Sequence, residues 1–64
     1  MKTITVEAMK RIVKTPLGDM ETRSYLMRRT KQELTNIIVE NNLSINKNLK
    51  KEIIVNKIME FVTK

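Results

Sequence analysis

Apolar residues recur at helical spacing in four stretches of this chain, and polar turn residues separate them. Val6, Met9, Ile12 and Val13 share one face of a helix predicted over about Val6 to Lys14. Thr5 suits its N-cap, because a threonine hydroxyl can accept from a free amide of the first turn, and Ile4 with Met9 fits a hydrophobic staple. Pro16 ends the helix by removing a donor and turning Thr15 away from helical geometry. Upstream, Met1 to Val6 alternates, with Lys2, Ile4 and Val6 opposed to Thr3 and Thr5, which would also suit a short strand. Leu17-Gly18-Asp19 reads as a turn, with Asp19 as the cap of a second helix over Met20 to Arg28. In that helix Met20, Ser24 and Met27 share a face, Leu26 and Met27 are expected to be buried, and Arg23, Arg28 and Arg29 to be solvated.

The segment from Thr30 to Val62 carries the stronger pattern. Thr30-Lys31-Gln32-Glu33 is a capping box, in which the threonine hydroxyl takes the Glu33 amide and the Glu33 carboxylate reaches back. Leu34, Ile37, Ile38 and Asn41 then share a face, and Asn41-Asn42 stops the helix, since asparagine tolerates the left-handed conformation. Leu43 and Ile45 should plug the connection. A last helix starts near Asn48 or Leu49 and carries Leu49, Ile53, Ile54, Ile58, Met59 and Val62 on a wide stripe that Phe61 extends. A stripe that wide implies burial on more than one side or a self-association surface. The fold expected is all-α: an N-terminal helical extension over residues 1–29, with one or two helices, packed as one domain with a helix–loop–helix over residues 30–64.

Composition narrows what such a domain can do. With 64 residues there is room for one small core, and with one Tyr and one Phe that core must be aliphatic. No cysteine supplies a disulfide, and with no His or Cys the usual zinc ligands and the commonest general bases and nucleophiles are missing. An enzyme is therefore not expected, nor is a cofactor or a metal. The longest apolar runs, Ile37-Ile38-Val39 and Ile53-Ile54-Val55, fall far short of the roughly 18 residues needed to span a bilayer. No secretion signal is read at the N-terminus, so a soluble, cytoplasmic protein is expected. Its Ile, Lys and Asn content points to an AT-rich bacterial, phage or plasmid source.

Charge changes the picture most. Thirteen Lys and Arg against seven Asp and Glu give a net charge of +6 and attract polyanions, nucleic acid first among them. These cations gather in two places, Arg28, Arg29 and Lys31 before the third helix and Lys47, Lys50 and Lys51 before the fourth. Lysines at a helix N-terminus oppose the helix dipole by about 0.3 to 1 kcal/mol each. Free amides there make a natural phosphate site. An arrangement that hinders folding but attracts anions makes most sense if an anion binds.

Met27 to Val62 also resembles the SAP family and its helix-extended loop-helix relatives, in which two short, nearly parallel helices flank a polar loop. The resemblance rests on Thr30-Lys31-Gln32-Glu33-Leu34 at the first helix start, Asn42-Leu43 at its end and Lys50-Lys51-Glu52-Ile53-Ile54 at the second start. It departs where the family has glycine, here Asn42 and Asn46-Lys47-Asn48, and the first thirty residues have no counterpart in the motif. The resemblance implies duplex DNA binding through the loop and the second helix start. In a nearly parallel pair both N-termini lie at one end, so the two basic clusters would form one patch of Arg28, Arg29, Lys31, Asn46, Lys47, Asn48, Lys50 and Lys51.

Asn46 and Asn48 are the amides nearest to read base edges, so weak sequence specificity is expected. Four or five phosphate contacts imply a log K versus log salt slope of about −4 and affinities of roughly 10⁻⁴ to 10⁻⁶ M. The plain alternative for the cations is a solvated face. The competing functional reading is a small phage or mobile-element protein that binds and modulates a host protein. A weak homodimer, including a ribbon-helix-helix arrangement with Lys2 to Val6 as its strand, is a further alternative. No membrane partner is favoured, since the last stripe is better used as core.

Overall fold

The computed structural model describes residues 3–63. It contains four helices, α1 (Val6–Val13), α2 (Gly18–Met27), α3 (Lys31–Glu40) and α4 (Lys51–Val62). Among the described residues there is no strand; Thr3 to Thr5 lie outside any regular element, and Lys2, the first residue of the ribbon considered above, lies outside the described residues. The ribbon-helix-helix arrangement therefore finds no strand at Thr3 to Thr5.

Local chemistry explains each boundary. The Ala8 amide donates to Thr5 Oγ1 at 3.1 Å, which caps α1. Pro16 occupies the second position of a turn closed by the Gly18 amide on the Thr15 carbonyl at 3.0 Å, with Leu17 at φ −108°, ψ 11°, near type I geometry. Gly18 is required there by close approach rather than by its own torsions, because a Cβ would sit 1.6 Å from the Ile12 carbonyl oxygen. The Glu33 amide donates to Thr30 Oγ1 at 3.2 Å and caps α3.

The end of α3 is a Schellman motif. The Leu43 amide donates to the Ile38 carbonyl at 2.9 Å, the Asn42 amide to the Val39 carbonyl at 3.2 Å, and Asn42 takes φ 53°. Asparagine thus does the work usually given to glycine at that position. Leu43 then packs on the core, as the apolar residue following such a motif commonly does.

All four helices feed one core: Met9 from α1, Leu26 from α2, Leu34, Ile37 and Ile38 from α3, and Ile54, Val55, Ile58, Met59 and Val62 from α4, with Ile45 from the connection. The other three helices all pack against α4. Its wide stripe is consumed inside the chain, which removes it as the self-association surface considered above. Ile53, expected on that stripe, is instead 39% exposed, and Val55 takes its place in the core. The helix begins two residues later than the apolar pattern suggested, because Leu49 packs on the core from the connection rather than from the helix.

One side chain binds the N-terminal segment to the rest. Asn41, the C-cap of α3, accepts from the Val6 amide at 3.1 Å and donates through Nδ2 to the Ile4 carbonyl at 3.2 Å and the Ile37 carbonyl at 2.9 Å. Thr3 adds a hydroxyl donated to the Glu40 carboxylate. The open first turn of α1 and the last turn of α3 are therefore satisfied by the same amide group.

The second helix departs most from expectation. Its N-cap is Leu17 with no side-chain cap, and Asp19 lies inside the first turn. Gly18, Thr22 and Leu26 are its buried residues, whereas Met20, Ser24 and Met27 face outward. Proximity accounts for this: only a glycine and a small threonine let α2 lie so close to α1, which turns the two long methionines away.

Candidate nucleic-acid interface

The two basic clusters are built differently. Asn46, Lys47, Asn48 and Lys50 are exposed in the approach to α4, and Lys51 is its half-buried first residue. The Asn48 amide donates to Asn46 Oδ1 at 2.8 Å, and the Leu49 amide to the Asn46 carbonyl at 3.4 Å. Asn46 is therefore engaged as a turn residue, holding the loop in an Asx turn. Buried Ile45 and partly buried Leu49 anchor that turn on either side, so Lys47 and Asn48 project from a loop fixed at both ends.

Lys50 is the N-cap of α4 and makes no side-chain cap. The first helical bond runs from the Ile54 amide to the Lys50 carbonyl at 2.9 Å, so the amides of Lys51, Glu52 and Ile53 precede it. Lys50 and Lys51 open the helix and Lys47 stands three residues before its N-cap, with Glu52 as the acidic residue of the first turn. The helix dipole, the open amides and the lysines all favour an anion at this end.

The other cluster is partly spent within the fold. Arg28, the C-cap of α2, and Lys31, the first residue of α3, are exposed. Arg29 is not solvated as expected. Its guanidinium lies 4.8 Å from the centre of the Tyr25 ring and 3.5 Å from a Glu33 carboxylate oxygen, and its Nε is buried without a protein partner. Arg29–Glu33 is the one ion pair among the described residues. Glu33, expected to reach back to the Thr30 amide, is drawn towards Arg29 instead. Sequence reading missed this Tyr25–Arg29–Glu33 row, because it spans the break between α2 and α3, and a spacing of four marks neighbours only within one helix. With Thr3, Ile4, Asn36 and Ile37 the row lines a shallow pocket of about 120 Å³.

Glu60 stands four residues before Lys64, a spacing that suits an ion pair on a helix surface, and Lys64 lies outside the described residues. Among the described residues no group of three or more acidic side chains could hold a metal ion, and no helix is long and apolar enough to cross a membrane. No family model, curated protein or solved structure matches the chain.

Proposed function

We propose that this chain binds duplex DNA through phosphate contacts at the start of α4, with Lys47, Lys50 and Lys51 as the principal cations and the Lys51, Glu52 and Ile53 amides as donors. Arg28 and Lys31 extend the patch, and Arg29 contributes less because Tyr25 and Glu33 already hold it. The observation that carries this reading is the combination at one helix end of an absent side-chain cap and three lysines. Caps normally supply about 1 kcal/mol and lysines there oppose the dipole, so both features run against stability. A bound phosphate reverses both effects at once.

Sequence discrimination on this reading is weak. Asn46 is held by its turn, which leaves Asn48 as the nearby amide free of a side-chain bond to the loop backbone. The resemblance to helix-extended loop-helix proteins points to the same loop and helix start, and it also predicts that both basic clusters meet one duplex.

An amide-shift titration with a short duplex tests the proposal. Resonances of Lys47 to Ile53 should move first, followed by those of Arg28 to Lys31, and the affinity should fall steeply with salt. Shifts confined to Ile4 to Val13, or binding indifferent to salt, would refute it. Absence of DNA binding together with co-purification of a host protein would favour the protein-modulator reading instead.

A further inference from the structure

Met20 and Met27 stand on the outward side of α2, 69% and 41% exposed, with Leu17 62% exposed at its N-cap and Tyr25 39% exposed on the flank. Leu17, Met20, Ser24 and Met27 follow three-four-three spacing and so form one stripe along the helix. Four large apolar side chains in solvent around a helix of ten residues is an unusual density, whereas single exposed apolar residues need no explanation. Beside Glu21 and Tyr25 a groove of about 290 Å³, lined also by Ile4, Ile12 and Thr22, carries the apolar surface on towards α1.

The charges around this stripe are ordered. Between Gly18 and Arg28 the chain holds Asp19 and Glu21 against Arg23 and Arg28, a neutral stretch within a chain of net charge +6. Arg23 is committed sideways, donating to the Asn56 side chain on α4. Glu21 and Arg28 are seven residues apart, which puts them on the same flank of the stripe, acid towards its start and base towards its end.

We infer that this face docks a second copy of the chain, α2 against α2, antiparallel about a two-fold axis near Ser24. In that arrangement Met20 meets Met27 of the other copy, and Glu21 comes within reach of Arg28 of the other copy, on both sides of the axis. The small Ser24 side chain lets the two helices approach at the crossing. A parallel pairing would carry this flank to opposite sides of the contact in the two copies and leave Glu21 and Arg28 without each other, so the charge order favours the antiparallel one. The face also fits a second copy because it is locally neutral; elsewhere the surplus of lysine and arginine makes two copies repel. The contact is small, so the dimer is weak and forms at high concentration.

Sedimentation equilibrium of the full chain from micromolar to millimolar concentration tests this, with circular dichroism as the folding control. The wild type should show a reversible monomer–dimer equilibrium. Met20→Lys, Glu21→Arg and Arg28→Glu should each weaken it roughly tenfold or more, while helix content stays unchanged because all three residues are exposed. The double variant Glu21→Arg/Arg28→Glu should recover most of the loss, since the opposed charges are exchanged rather than removed. A chain that stays monomeric at millimolar concentration overturns the inference, as does a dimer indifferent to Met20→Lys or a double variant no better than either single one.

Discussion

The starts of α3 and α4 solve the same problem in opposite ways. Each has one acidic residue in its first turn, Glu33 and Glu52, but at α3 the donors are also answered from within, since the Thr30 hydroxyl takes the Glu33 amide. At α4 the N-cap is Lys50, no side chain caps the first turn, and Lys47 and Lys51 lie nearby. α4 survives without a cap because its apolar stripe is sunk in the core, with Ile54, Val55 and Ile58 fully buried. Tertiary burial of a single aliphatic side chain, about 1.5 to 3 kcal/mol, exceeds the roughly 1 kcal/mol a cap supplies. The end of a well-buried helix is thus free to be shaped for something other than stability.

The contrast can be broken most strongly at the lysines. Replacing Lys47, Lys50 and Lys51 together with Ala should flatten the slope of log K for duplex DNA against log salt by about 3, read from mobility shifts at several salt concentrations. The same triple variant should unfold at no lower urea concentration than the wild type, because cations at that end oppose the dipole. A sharper test converts one start into the other. Lys50→Asp supplies a cap and an acidic first-turn charge, so it should raise unfolding free energy by about 1 kcal/mol while weakening DNA binding roughly tenfold.

Thr30→Ala should do the reverse at α3, lowering unfolding free energy by about 1 kcal/mol in urea titrations and leaving DNA affinity within experimental error. Smallest of all should be Arg29→Met. Loss of the Tyr25 contact and of a half-exposed pair predicts at most about 1 kcal/mol of destabilisation. Its effect on DNA affinity should be smaller than that of removing any one of the three lysines.

Those elements whose limits are set by local chemistry were legible in the sequence. Thr5 and Thr30 accept the amides expected of them, and Asn42 takes the left-handed conformation that ends α3. Leu34, Ile37 and Ile38 are buried as their spacing required. What stayed hidden depended on how closely helices approach one another. Burial of Gly18 and Thr22, and exposure of Met20 and Met27, follow from α2 lying against the Ile12 carbonyl, a distance that no periodicity encodes. The α2 pattern offered Leu26 as one strong apolar position, so either adjacent face could have been turned inward. At the candidate site, exposure of Lys47 and Lys50 was readable, but the diversion of Arg29 onto Tyr25 needed the junction between α2 and α3 to be known.

Asn41 has a consequence for anyone who would trim this protein. Because one carboxamide closes both the opening turn of the first helix and the final turn of the third, a cut ahead of Thr30 would not release a smaller working module. The fragment would keep its lysines yet carry bare aliphatic surface where Met9 and Leu26 had been, and would be prone to clump rather than to bind.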